Sequence, residues 1–467
     1  MSWLNVIKII WLLVIACVSV LGALTAAEYQ GDVWIYMVFT VLSLAVLFFG
    51  FGPKAIFFDA FIGVLVWIGF WLKFSVQTAF FEGRFNIPVG AFDGSPHSLD
   101  QALLTICCAL AAILVARFIR QYFFSYPGSL PDIAYTGLYA FYRRYRNFVI
   151  VAFILAILAV CISNAWFGFY QRGLVSRVIL PFGLNGVYAW LLMFGLASVS
   201  AVVLRFEFEL NRDRYWIAIT IGLLETALSN ISLWSRGMIL NGSSLLYGAV
   251  AQFHRKEPRL RVGLTTFVIV AFLFFFAVSV VTVNYLRAQT FYGGYSQGER
   301  KEAVVEQTSV LFLDRWVGIE GLMSVVGAPD KSWSVFQEAL VERFDKGSNS
   351  FYDKNFIESP YDNSRDNGLH FVSLPGYIAF LYYPGSLLFL FCAVFAFSIV
   401  AVLFEYFVYR LGGKNLVFCA LIAQVIAFRY TSFGYVPIQS YMLFGSVLLN
   451  VLIFFLFDRV LRYVYRV

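Results

Sequence analysis

Charge is scarce in this chain: Asp, Glu, Lys and Arg make up 13% of its 467 residues, against 61% apolar residues, and the mean hydropathy is +0.78. That shortage excludes an ordinary soluble domain and predicts an all-α polytopic membrane protein. Histidine is rarer still. His97, His254 and His370 lie far apart without ligand spacing, which argues against a metal site. The six cysteines, Cys17, Cys107, Cys108, Cys161, Cys392 and Cys419, all fall inside apolar runs, so they read as small packing residues and not as a disulfide framework. No internal repeat, low-complexity tract or nucleic-acid motif is visible. The net charge of +7 therefore has to be divided between two sides of a bilayer before it implies a partner.

What is present is a succession of about twelve apolar runs: 3–24, 33–51, 55–74, 101–116, 148–167, 184–204, 215–234, 238–253, 262–283, 384–409, 416–427 and 438–457. The first follows Lys8 and ends in GALTAAE, like a signal peptide, but it is long enough to span and is read as the first transmembrane helix. An even count puts both termini on one side. Arg117, Arg120, Arg143, Arg144, Arg146, Arg205, Arg212, Arg214, Arg255, Lys256, Arg259 and Arg261 fall on that side too, as do Arg410, Lys414 and the C-terminal arginines. By the positive-inside rule it is the cytoplasm, which leaves the other side net acidic.

The division predicted is transmembrane helices 1–9 over 1–283, an outer segment over 284–383 and helices 10–12 over 384–467. Within the outer segment, 299–313 and 332–344 have helical spacing, with Ser332 as an N-cap. Residues 345–367 read as irregular loop. HFVSLPGYIAFLYY, 370–383, is apolar but broken by Pro375 and Gly376, so it lies at the interface or re-enters.

The most informative stretch is WSRGMILNGSSLLYG, 234–248, which puts Arg236 in the seam between two apolar runs at an outer hairpin tip. A guanidinium at such depth costs roughly 2.5 to 3.5 kcal/mol unless paired or wetted, so a functional role is its default reading. If the preceding run is a regular helix up to Arg236, then Glu225, Ser229, Ser232 and Arg236 share a face. That stripe is either a buried seam between helices or a substrate lining. Gly237, Asn241, Ser244 and Gly248 share a face of the next helix, a pattern for close packing, while its N-terminus would reinforce an anion site.

Arg172, Arg177, Arg236, Arg315 and Arg429 all belong to the outer side, where cations are not needed for topology. Guanidinium forks match phosphate oxygens, so together they point to a phosphate-bearing ligand at the membrane surface. Asp314, Glu320, Asp366 and His370 are the nearby acids and bases. His370 suits proton transfer near neutrality best. YDKNFIESPYDNSRDN, 352–367, mixes aromatic and short polar residues, as sugar-binding loops do.

SRG at 235–237, HFVSLPGYIAFLYYPG at 370–385, the late outer segment, and Arg172 followed after ten residues by Gly183 together resemble the bacterial O-antigen and oligosaccharide repeat-unit polymerases, to which the O-antigen ligases are related. The resemblance implies a GT-C-like, metal- and cofactor-independent glycosyltransferase of the inner membrane with a periplasmic active site. It would move a glycan from undecaprenyl pyrophosphate to a lipid-linked repeat unit, with a chain-length-regulating co-polymerase as partner. On that reading Arg236, Arg172, Arg177 and Arg315, with Arg429 and Glu225, bind substrate, and His370, Asp314 or Glu320 takes the acceptor proton. The rivals are a ligase using lipid A-core as acceptor and, in another class, a flippase of lipid-linked glycans, for which Glu225 would line the path.

Overall fold

The computed structural model describes residues 3–83, 89–210, 215–255, 262–291, 316–343, 349–357 and 373–466. They are helical, with no strand among the described residues. Before the long outer segment run α1 (Trp3–Glu28), α2 (Val33–Phe49), α3 (Phe57–Phe80), α4 (Pro96–Arg120), α5 (Thr136–Phe167), α6 (Pro181–Leu210), α7 (Tyr215–Ser232), α8 (Met238–His254) and α9 (Val262–Phe291). Short helices α10 (Ile319–Gly327), α11 (Trp333–Leu340), α12 (Phe351–Asn355) and α13 (Tyr377–Leu381) belong to that segment. It is followed by α14 (Leu387–Leu411), α15 (Leu416–Thr431) and α16 (Pro437–Tyr465). Each of the apolar runs lies on one of these helices. Seven helices, α3, α4, α5, α6, α9, α14 and α16, are long and apolar enough to cross a membrane.

Their ends are set by local chemistry. The Asp32 side chain accepts from Trp34 N at the start of α2, Ser95 and Pro96 open α4, and Asn415 accepts from Val417 N and Phe418 N at the start of α15. α15, apolar apart from Gln424, Arg429 and Thr431, is buried over most of its length at the centre, packed on α8, α3, α14 and α6. Its closest neighbour is α8. A Cβ on Gly248 would stand 2.6 Å from Val417 Cα, so the small-residue face of α8 is a packing face, as its spacing suggests. On the periphery, α5, α9, α14 and α16 expose large apolar side chains such as Leu155, Phe274, Leu388 and Leu456. Apolar surface so extensive suits hydrocarbon rather than water and suggests a membrane-embedded protein.

The connections gather at two ends. At one, Arg205 Nη2 donates to Pro131 O at 2.7 Å, Tyr135 OH to Leu411 O at 2.6 Å and Arg255 Nε to Pro127 O at 3.0 Å. Arginines there are matched by buried carboxylates: Asp59 takes Arg117 and Arg120, and Glu207 takes Arg146. At the other end, Tyr29 OH donates to Asp100 at 2.8 Å, Arg172 N to Leu233 O at 2.9 Å and Val436 N to Glu342 at 3.0 Å.

The described parts of segment 284–383 partly enter the bundle. Every residue from Ile319 to Val326 on α10 is buried, and α13 is buried throughout after Gly376, whose φ of 82° only glycine adopts easily. Ser332 caps α11 as the spacing predicts, its side chain accepting from Val335 N. The stretch 345–367 is not wholly irregular, because Ser350 and Asp353 form a capping box that nucleates α12. The helix expected over 299–313 lies outside the described residues.

Candidate functional site

Two hairpin tips meet at the second of the bundle's two ends. α5 stops at Gly168, left-handed at φ 63°, and the chain turns through Tyr170 and Arg172 toward α6. α7 stops at Ser232, and Trp234, at φ 55°, turns the chain so that Ser235 N donates to Asn230 O at 2.9 Å. Asn164, fully buried, joins the tips. Its Nδ2 donates to Tyr170 O, Ser232 O and Ser232 Oγ at 2.9–3.0 Å, and its Oδ1 accepts from Tyr170 N at 2.9 Å. Arg287, on the last turns of α9, spans both: Nε donates to Trp234 O at 3.0 Å and Nη2 contacts Arg172 O at 3.4 Å.

Arg172, Arg236, Arg287 and Arg429 each lie within electrostatic reach of another of the four. The positive charges of Arg236 and Arg172 act on Arg287, and that of Arg172 acts on Arg429, at the end of α15. Arg172 and Arg429 line a small cavity of about 90 Å³ with Ser235, Gly237 and Gln424 among others. Arg429 also lines a larger cavity of about 480 Å³. Its Nε donates to Ser440 Oγ at 2.7 Å, while its Nη2 is buried with no hydrogen-bond partner among the described residues. No Asp or Glu is among the described residues lining either cavity. Arg172 and Arg429 share one cavity wall, and guanidinium forks there suit an anion with oxygen acceptors.

No family model, curated protein or solved structure matches this chain. Its chemistry has to be read from the geometry.

The remaining expected site residues are dispersed. Arg177 is exposed, its stem lying over Gly168, and it lines neither cavity. Glu320, in the first turn of α10, is buried in a 2.8 Å ion pair with Lys73 from α3, whose Nζ also donates to Trp316 O at 2.8 Å. Asp314, Arg315, Asp366 and His370 lie outside the described residues. The face expected to run from Glu225 to Arg236 is cut short, since the turn at Trp234 takes Arg236 off the helix. What remains is a closed seam. Ser229 Oγ donates to Glu225 at 2.8 Å, and Ser232 Oγ to Cys161 O on α5 at 2.9 Å.

Sequence reading missed Arg287 because the apolar run of α9 was ended at 283. Following the helical period about two turns further carries YLRAQ on the same helix. It also missed Asn164 and Lys73, whose one available signal was a polar side chain inside an apolar run. Outside the bundle, Glu342 fixes the turn after α15, accepting from Phe351 N at 2.6 Å and Val436 N at 3.0 Å. Burial pushes its carboxyl above the ordinary range, against the opposing pull of those two N–H groups.

Proposed function

We propose that this chain is an O-antigen-type polysaccharide polymerase, a membrane glycosyltransferase that moves a glycan from undecaprenyl pyrophosphate to a lipid-linked repeat unit. The observation that carries this reading is the convergence of Arg172, Arg236, Arg287 and Arg429 at one end of an apolar helical bundle. In the transfer, the bond between the donor sugar's anomeric carbon and the pyrophosphate oxygen breaks, and a bond to the acceptor hydroxyl forms. The electron pair leaves with the pyrophosphate, whose growing charge the arginines stabilise in place. The acceptor proton passes to a base, for which His370 and Asp314 are our candidates. Glu320 is the weaker one, being already committed to Lys73.

On this reading the bundle crosses the inner membrane twelve times, with α15 as a short central crossing, both termini cytoplasmic and the arginines periplasmic. A co-polymerase setting chain length would be its partner. The Glu225 seam is closed by hydroxyl groups and α5, which favours an enzyme over a flippase with a central path.

The test is product analysis in cells. Arg236→Ala and Arg172→Ala, expressed at normal levels, should lower polymer formation on the order of a hundredfold. Single repeat units should then replace the ladder. Polymer retained on the lipid carrier would instead indicate a ligase, and an unchanged ladder would remove the arginines from the reaction.

A further inference from the structure

The end of the bundle away from the candidate site carries its own arginines, and they fall into two groups. Arg146, Arg205 and Arg462 are each held by a carboxylate, from Glu207, Glu209 and Asp458 respectively. Arg143, Arg144, Arg459 and Arg466 are exposed and have no ion pair or side-chain hydrogen bond among the described residues. Aromatic rings accompany them instead. The Arg144 guanidinium stands 5.5 Å from the centre of the Tyr145 ring, and that of Arg459 stands 5.2 Å from the centre of Phe455. The rings of Tyr145, Phe141 and Tyr465 follow one another at 5.3 and 6.5 Å, so an aromatic row leads from Arg144 on α5 to Tyr465, the neighbour of Arg466, on α16.

Close packing makes the two helices one surface here. A Cβ on Gly137 would stand 2.5 Å from Asp458 O, and Leu138 N donates to Asp458 at 3.0 Å. The depth of that surface follows from α5. Its backbone leaves helical geometry at Tyr145, at φ −117° and ψ 28°, where Tyr142 OH and Arg146 Nη2 on either side both donate to Glu207 at 2.8 Å. From that break to Phe167 the helix is about 33 Å long, close to the roughly 30 Å of a bilayer's hydrocarbon. Phe148 and Val151 just past the break, and Phe457 and Val460 on α16, are exposed apolar side chains. Unmatched guanidinium groups thus border an apolar flank at headgroup depth. A ligand with an anionic phosphate head and apolar chains satisfies both.

We propose that this corner of α5 and α16 is a binding site for one acidic phospholipid. The charges of Arg143 and Arg144, with Arg466 beyond the aromatic row, select an anionic headgroup, and the exposed side chains beside them take the acyl chains. The border with apolar side chains on both helices favours a phospholipid over a soluble anion. The site lies at the other end from the candidate glycan-transfer site and uses none of its residues, so it stands whether or not the protein is a polymerase.

Native mass spectrometry of the purified full-length protein in detergent tests this, with phosphatidylglycerol as probe and phosphatidylethanolamine and inorganic phosphate as separate arms. One phosphatidylglycerol should be retained per chain, at least about tenfold more tightly than phosphatidylethanolamine. Arg143→Gln/Arg144→Gln should weaken it at least about tenfold with Tm unchanged, since neither side chain has a protein acceptor to lose. Lys54→Gln/Lys414→Gln removes the same charge elsewhere at this end and should change binding by less than about twofold. Equal affinity for the two lipids, or equal weakening in the two double variants, would show only diffuse attraction to a basic end and would overturn the site. Displacement of the lipid by inorganic phosphate at equal concentration would show that the apolar flank contributes nothing, and would overturn it too.

Discussion

Lys73 and Glu320 are both sealed from solvent, and their 2.8 Å pair ties the outer segment to α3. Removing one partner leaves the other charge buried, at a cost of about 3–5 kcal/mol, whereas removing both with apolar replacements is often close to neutral. Thermal unfolding in detergent should therefore show Lys73→Met and Glu320→Met each strongly destabilised and the double variant largely recovered. If Glu320→Met kept the wild-type Tm but abolished polymerisation, Glu320 would be a base and not a strut. The arginines show how far single residues can be read from sequence. Arg172, Arg236 and Arg429 stood out because cations on the net acidic side serve no topological need. Arg177 satisfied the same criterion yet lies apart, since nothing in a loop sequence says which way its tip folds. Arg287 was concealed by an assumed helix end.

At the scale of elements, Glu342 joins α11, α12 and the turn before α16 through two backbone N–H groups. Its raised carboxyl pKa means that the folded state holds the proton more tightly than the unfolded chain. The resulting stability is fullest below the ordinary Glu value of about 4.3 and falls as pH rises through the shifted value. Glu342→Gln should flatten that slope. Because an amide offers one acceptor oxygen where the carboxylate offers two, it should also cost about 1 kcal/mol. Tm measured near pH 4 and near pH 7 checks both, and identical slopes in wild type and variant would show that Glu342 does not titrate with folding. Element identity was largely legible, because long apolar runs admit few alternatives to helices. Element ends were not. The stop of α7 depends on a left-handed Trp234, a conformation imposed by tertiary contacts with Arg287 and the α5–α6 tip and not by local propensity. The α12 capping box, by contrast, was present in the sequence as Ser350 and Asp353, and was masked by the loop-like composition around it.

For the molecule as a whole, burial sorts the helices into a core and a shell, with α15 buried at the centre and α5, α9, α14 and α16 presenting side chains outward. Hydropathy alone shows that a run is apolar, not whether lipid or protein faces it, so this arrangement was not readable beforehand. The approach of the arginines from the α7–α8 turn, α9, α15 and the α5–α6 tip is likewise a product of packing, since they come from separate parts of the chain. That approach is what the proposed transfer depends on. Its most direct measurement uses purified full-length protein in detergent, with a polyprenyl-pyrophosphate-linked repeat unit as the sole substrate and no ion gradient. The expected result is a ladder of polymers with stoichiometric release of polyprenyl pyrophosphate, abolished in the Arg172→Ala/Arg429→Ala double variant. Substrate left intact by the wild-type protein, or a ladder of equal length and rate from the double variant, would contradict it.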